Sequence, residues 1–127
     1  FRRVLFRSAM KITKVEIITR ASKLEELKQA LNDIGVLGMT VSQVFGCGLS
    51  KGHTEVYRGK EYDINLVPKI KLETVVCEIP VERVLEVAQK AVRTGNIGDG
   101  KIFVYELTDA VRIRTGDRGP EAIMDTK

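Results

Sequence analysis

Three short segments carry residue types suited to gripping an anion. Gly98-Asp99-Gly100-Lys101 sets two glycines around an acid and ends on a lysine. Gly46-Cys47-Gly48 offers a second glycine pair earlier in the chain. Glycines let the backbone approach a ligand closely, and exposed N–H groups there can cradle phosphate, with Lys101 as a point charge. The GDGK run lacks the GxxxxGK[ST] spacing of a P-loop. Arg112-Ile113-Arg114 adds two guanidiniums, and a strand there would place both on one face, opposite Val111 and Ile113. Neighbouring guanidiniums repel unless carboxylate or phosphate lies between them. Ordinary surface ion pairs would explain any one segment; the coincidence of all three favours an anion site.

Between the Gly46–Gly48 pair and Pro68 lies LSKGHTEVYRGKEYDINLV, residues 49–67. It holds Lys51, His53, Tyr57, Arg58 and Tyr62, with Gly52 and Gly59 as pivots, and too few aliphatics for a core of its own. Tyrosine and arginine are the types that anchor protein interfaces. The segment reads as an exposed effector loop whose shape depends on a ligand at its base; a merely solvated hairpin is the bland alternative. His53 and the loop acids could do acid–base work, but no nucleophile or metal cluster fixes them, so no catalytic residue and no metal site are assigned. Cys47 and Cys77 lack CxxC or other metal-ligand spacing. They are expected to be reduced, buried and structural.

The elements that must position these segments follow from periodicity. Residues 11–19 are rich in β-branched types and predict a strand. Ser22 with Glu25 predicts a capping box. Leu24, Leu27, Ala30, Leu31 and Ile34 then recur at helical spacing up to Gly35. Residues 40–45 predict a second strand and 70–76 a third. Pro80 opens a second helix, with Val81, Val84, Leu85, Ala88 and Val92 as its buried stripe and Gly95 as its stop. Residues 102–107 predict a fourth strand and 111–114 a short fifth. Each helix is left through a GxxG step, Gly35–Gly38 and Gly95–Gly98, which suggests an internal duplication. The sum is an α+β, ferredoxin-like β-α-β-β-α-β sandwich. Its anomaly is the long connection between strands two and three, where a hairpin needs only about two to five residues.

The chain has 127 residues, 43% of them hydrophobic, enough for one core. A domain this small is expected to place a sizeable ligand in a surface cleft or between subunits. Residues 1–9, FRRVLFRSA, read as an extension foreign to the domain at 10–127, whose polar tail starts near residue 116. They lack the apolar core of a targeting peptide. Without their three arginines the net charge of +4 falls to about +1, four minus three. That removes most of the electrostatic case for nucleic acid. No apolar run is long enough to span a membrane.

Four segments together resemble the PII nitrogen-regulatory signal proteins: GMTV (38–41), KGHTEVYRG (51–59), TGNIGDGKIFV (94–104) and RIRTG (112–116). The similarity runs from about Met10 to Ile123. It implies a cytoplasmic homotrimer with inter-subunit clefts that bind ATP and ADP competitively, and a regulatory rather than catalytic role in nitrogen metabolism. Matching nucleotide-site positions are Gly38, Met39, Thr40, Gly46, Gly48, Glu73, Val75, Gly98, Asp99, Gly100, Lys101, Arg112 and Arg114. Thr40 and Val75 fall where the family holds adenine, with Glu73 assisting. The GDGK-like backbone and lysine hold phosphates, and the two arginines reach across from the neighbouring subunit. Ser50, Lys51 and Lys69 match the 2-oxoglutarate side. Tyr57, Arg58 and Tyr62 match partner-binding positions on a loop that docks on ammonium transporters, metabolic enzymes or regulators. Tyr62 is also a uridylylation site in some bacterial members. Membrane association is then expected only through such a partner.

Many members carry Arg-Gln where this chain has Leu49-Ser50. The missing glutamine removes a ligand to the Mg2+ that bridges ATP to 2-oxoglutarate. The resemblance therefore implies nucleotide binding, with Mg2+-dependent 2-oxoglutarate sensing weakened by this departure. Two other classes share the plan. An RNA-binding module needs aromatics on the sheet face, and residues 11–19 and 70–76 contain none. The remaining alternative is a small ferredoxin-like enzyme acting on a phosphorylated small molecule.

Overall fold

The computed structural model describes residues 11–49, 55–57, 60–62 and 64–124; the expected extension at 1–9 lies outside them. β1 (Ile12–Arg20) runs into a 3-10 turn (Ala21–Lys23) and then α1 (Leu24–Asp33). β2 (Thr40–Leu49), β3 (Glu55–Tyr57), β4 (Lys60–Tyr62) and β5 (Ile64–Val76) follow. α2 (Val81–Val92), β6 (Lys101–Leu107) and a short α3 (Pro120–Ile123) complete the chain. The main sheet has the order β2-β5-β1-β6 with antiparallel pairs throughout. This is the expected ferredoxin-like arrangement, with the first strand of each half at the centre.

Both helices cover one face. Val15 and Ile17 of β1, Ile70 and Leu72 of β5, Leu27 and Leu31 of α1, and Val84 and Ala88 of α2 form the buried core. The two-residue period of the strands puts Lys14, Glu16, Lys69, Lys71, Glu73 and Val75 on the opposite, open face. Phe103 and Tyr105 join them there by register with Glu16 and Lys14. They are aromatics on a strand that the reading of the two inner strands did not cover. Charge is balanced locally: Lys14 lies 3.9 Å from Glu16 and 4.0 Å from Glu73, and sits 4.6 Å over the Tyr105 ring.

α1 ends as expected. Gly35 takes φ +94°, its N–H donates to Asn32 O at 3.0 Å, and Val36 N donates to Leu31 O at 3.0 Å. This is the paired closure that a left-handed glycine makes possible. The expected capping box does not form. Ser22 lies inside the 3-10 turn and α1 has no side-chain cap. A capping serine needs extended backbone, and the abrupt exit from β1 leaves none at that residue. α2 stops at Val92, ahead of Gly95, with Arg93 already extended.

The largest departure concerns the central connection. β2 continues past Phe45 through Gly46 and Gly48 to Leu49, and β5 begins at Ile64, with Leu49 opposite Ile64. The expected loop at 49–67 therefore shortens from both ends, because extending the ladder satisfies backbone groups that glycine-rich sequence would leave to solvent. Pro68 is tolerated because it lies beyond the last β1–β5 pair, Lys69 with Arg20, where β5 has a single neighbour. Within the connection β3 and β4 form a separate two-stranded ribbon.

Candidate functional site

Two groups of side chains converge on the open face, at different positions along β5. In the first, Thr40 is the register partner of Glu73. Gly38, Thr40, Glu73 and Val75 line a hollow of about 270 Å³ with Lys14 and Ile123. The Thr74 hydroxyl donates to Gly38 O at 2.6 Å and fixes the chain entering β2. A larger adjoining hollow of about 550 Å³ takes in Gly38, Val75, Arg112 and Met124. Met39 is the exception among these neighbours, since its side chain packs against the core.

The second group lies four residues back along β5, about 13 Å away at strand rise. Lys69 Nζ donates to Gly98 O at 2.7 Å. Gly46 fits beneath this lysine: a Cβ there would sit 3.2 Å from Lys69 Cε. Gly48 lies further along β2, opposite Asn65. Gly100, at φ +102°, abuts the end of β1 so closely that a Cβ would fall 1.8 Å from Ile18 O. Lys101 then opens β6 opposite Ile18. On the helix side it also borders a separate hollow of about 350 Å³ with Gln89, Val92 and Arg93.

The Asp99 carboxylate is committed to the turn that carries it and to Arg20. Oδ2 accepts the N–H groups of Thr94 and Gly95, each at 2.9 Å, while Oδ1 accepts the Thr94 hydroxyl and pairs with Arg20. The Thr94 hydroxyl and N–H, with lesser help from Gly95 and Arg20, hold the carboxyl far below the ordinary carboxylate range, against opposing desolvation. Thr19 Oγ1 also donates to Asp99 O at 2.7 Å. Arg20 and Thr94 are the residues that sequence reasoning missed. Thr94 stood within the recognised TGNIGDGK segment, but nothing in sequence joins Arg20 to a carboxylate 79 positions away.

The Arg112–Arg114 segment is not a strand. Arg112 N donates to Asp117 O at 2.9 Å and Gly116 N returns to Arg112 O at 2.7 Å, so residues 113–115 turn, and one bridge joins Val111 to Arg118. Gly116, at φ +78°, makes that turn possible. The same-face argument for the two arginines therefore fails. Arg112 lies against the C-terminal segment, its guanidinium bonded to Met124 O and 3.6 Å from Asp117, while Arg114 is exposed. Asp109 anchors the far side, bonded to Arg118, Ala110 N and Gly119 N. The Arg118 contact is the main cause of its lowered pKa.

Tyr57 closes β3 opposite Lys60, and Tyr62 closes β4 opposite Glu55. Ser50, Lys51 and Arg58 lie outside the described residues. Neither cysteine is in a disulfide, but Cys47 is exposed and Cys77 only half-buried, against the expected burial. Cys47 lies where β2 runs on past the β1–β5 ladder, opposite Leu66. Among the described residues no group of three or more metal-ligating side chains occurs and no helix is long and apolar enough to cross a membrane.

The family model of nitrogen regulatory protein P-II matches residues 12–117. The chain is 52% identical to the nitrogen regulatory PII-like protein of Bacillus subtilis over 110 residues, covering 87% of this chain and 95% of that protein. It is 53% identical to the nitrogen regulatory protein P-II of Rhodospirillum rubrum, again over 87% of this chain and 98% of the other. A solved B. subtilis GlnK–ATP complex superposes with a TM-score of 0.77 at 51% identity, covering 88% of this chain and 97% of that one. Arabidopsis thaliana PII bound to citrate does so at 0.70 and 40% identity, covering 89% and 92%. An antiparallel four-stranded sheet under two helices is the fold this chain shares with those PII structures. This chain belongs to the nitrogen regulatory protein P-II family.

Proposed function

We propose that the chain senses ATP and ADP in a cleft on the open face of its sheet and reports through residues 50–63. The observation that carries this reading is the convergence of Gly38, Thr40, Glu73 and Val75 on one stretch of β5 and of Gly46, Lys69 and Gly98–Lys101 on another. The first group suits a base. Its small hollow offers an apolar wall from Val75 and polar groups from Thr40 and Glu73. The second suits phosphates, with glycine backbone and two lysines. The B. subtilis GlnK relative solved with ATP supports the nucleotide as ligand.

In this reading the assembly is a homotrimer, in which the open face is covered and Arg112 and Arg114 complete a neighbour's cleft. ATP and ADP contact the base of the loop differently, so each favours a different loop ensemble and a different partner affinity. The partner is an ammonium transporter or a nitrogen-metabolism enzyme or regulator, met by Tyr57, Arg58 and Tyr62, with Tyr62 as the position for modification. The chain acts in the cytoplasm and is not an enzyme. With Leu49-Ser50 in place of Arg-Gln, Mg2+-dependent 2-oxoglutarate binding through Ser50, Lys51 and Lys69 is the weakened function.

Calorimetry with ATP, ADP and Mg-ATP with or without 2-oxoglutarate tests this. Competitive ATP and ADP binding is expected, with little added by 2-oxoglutarate. Failure to bind either nucleotide overturns the reading, and tight ATP-dependent 2-oxoglutarate binding overturns the role given to Leu49-Ser50. Turnover of several ATP per minute would move the chain to the enzyme class.

A further inference from the structure

Arg20 closes β1 on the open face, in register with Lys69. Its three described hydrogen bonds all go to the turn at 94–99. Nη1 pairs with Asp99 Oδ1 and reaches Thr94 Oγ1 at 3.4 Å, and Nη2 donates to Ile97 O at 2.9 Å. Lys69 holds the neighbouring carbonyl, Gly98 O, at 2.7 Å. The turn is thus pinned by two cations through two successive carbonyls, and by Arg20 through its one acid. Gly98, at φ +105°, packs under the clamp, since a Cβ there would lie 3.0 Å from Arg20 Nη2.

An acid in the middle of a phosphate-binding turn is a liability unless its charge is cancelled and its oxygens are committed elsewhere. We propose that Arg20 is a positioning residue for the nucleotide: by anchoring and neutralising Asp99, it sets the Gly98–Lys101 backbone and removes a negative charge from beside the phosphates. This rests on the nucleotide reading above. Arg20 acts through Asp99 and the turn, without touching the ligand. Repulsion by an uncovered Asp99 grows with ligand charge, so loss of Arg20 penalises ATP more than ADP.

The test is a double-mutant cycle of R20Q and D99N in the full chain, with ATP and ADP affinities measured by calorimetry and amide exchange followed at Thr94 and Gly95. R20Q is expected to weaken ATP by about three- to tenfold and ADP by less, with faster exchange at both amides. The double variant R20Q/D99N, which carries neither charge, should return the ATP-to-ADP ratio to that of the wild-type chain. D99N alone keeps an acceptor for the two N–H groups but leaves the guanidinium uncompensated, so its ratio should shift toward ATP. That arm stands even if R20Q does not fold. R20K, which keeps the charge and loses the fork, should restore the ratio while exchange at the turn stays fast. Equal losses for ATP and ADP in both backgrounds would make Arg20 a direct ligand contact and overturn the proposal. A D99N ratio shifted toward ADP would also overturn it. Wild-type binding with R20Q indistinguishable from it sinks this inference alone, whereas a wild-type chain that binds neither nucleotide sinks the nucleotide reading with it.

Discussion

Gly100 and Gly38 show how differently two glycines of the proposed site are constrained. Gly100 combines a left-handed φ of +102° with a backbone oxygen 1.8 Å from any added Cβ, whereas a Cβ on Gly38 meets nothing within 4 Å. Gly100→Ala must therefore move β1 or the turn, and a loss of about 2 kcal/mol or more is expected in chemical denaturation. Gly38→Ala should stay within about 0.5 kcal/mol of wild type. Equal stability of the two variants would contradict the packing described. Asp99 makes a second prediction at this scale. Its folded pKa is depressed, chiefly by the Thr94 hydroxyl. Its contribution to stability is thus complete above the unfolded value of about 4 and lost only as pH falls through the lower folded value. A carboxyl NMR titration should find Asp99 ionised well below the other aspartates, and Thr94→Val should raise its midpoint. An unshifted midpoint in the wild-type chain would mean that the turn is not closed as described.

The elements behave as their apolar faces dictate. α1 contributes Leu27 and Leu31, both fully buried, and α2 contributes Val84 and Ala88, to a core closed by Val15, Ile17 and Leu72. Leu31→Ala should cost about 2–5 kcal/mol, read as a shifted denaturation midpoint with unchanged slope. A cost below about 1 kcal/mol would mean that α1 is not seated as described. The same substitution should leave nucleotide affinity unchanged, because the helices and the proposed cleft lie on opposite faces of the sheet.

At the scale of the whole molecule, Leu49 and Ile64 bring the arms of the central connection together. Removal of residues 52–63 leaves residues 50 and 51 to join them, the length of a tight hairpin turn. The shortened chain is therefore expected to keep its sheet, its nucleotide affinity and a sedimentation mass of three copies, while losing partner capture from extract. Partner binding that survives the deletion would show that the loop is not the output surface. The open face gives the reason to expect assembly: Phe103 and Tyr105 remain 42% and 43% exposed in a single chain, on the face opposite α1 and α2.

The apolar periodicities of residues 24–34 and 81–92, the β-branched strands and the glycine stop at Gly35 were legible because each is a local rule, read within a few residues. The recognised segments likewise located the family, and the glycine turns lie at the proposed site. Tertiary structure decided what depends on distant neighbours. β2 and β5 run on through glycines because each satisfies the other's backbone. Ser22 loses its cap because β1 ends directly in a 3-10 turn. Arg112 and Arg114 part because Gly116 and Asp117 fold the segment back. Asp99, which sequence motif alone would assign to the ligand, has its carboxylate committed to Arg20, Thr94 and Gly95. The partner of a buried or committed charge is chosen by the fold, since the strand that brings Arg20 to Asp99 is positioned by the core and not by anything adjacent in the chain.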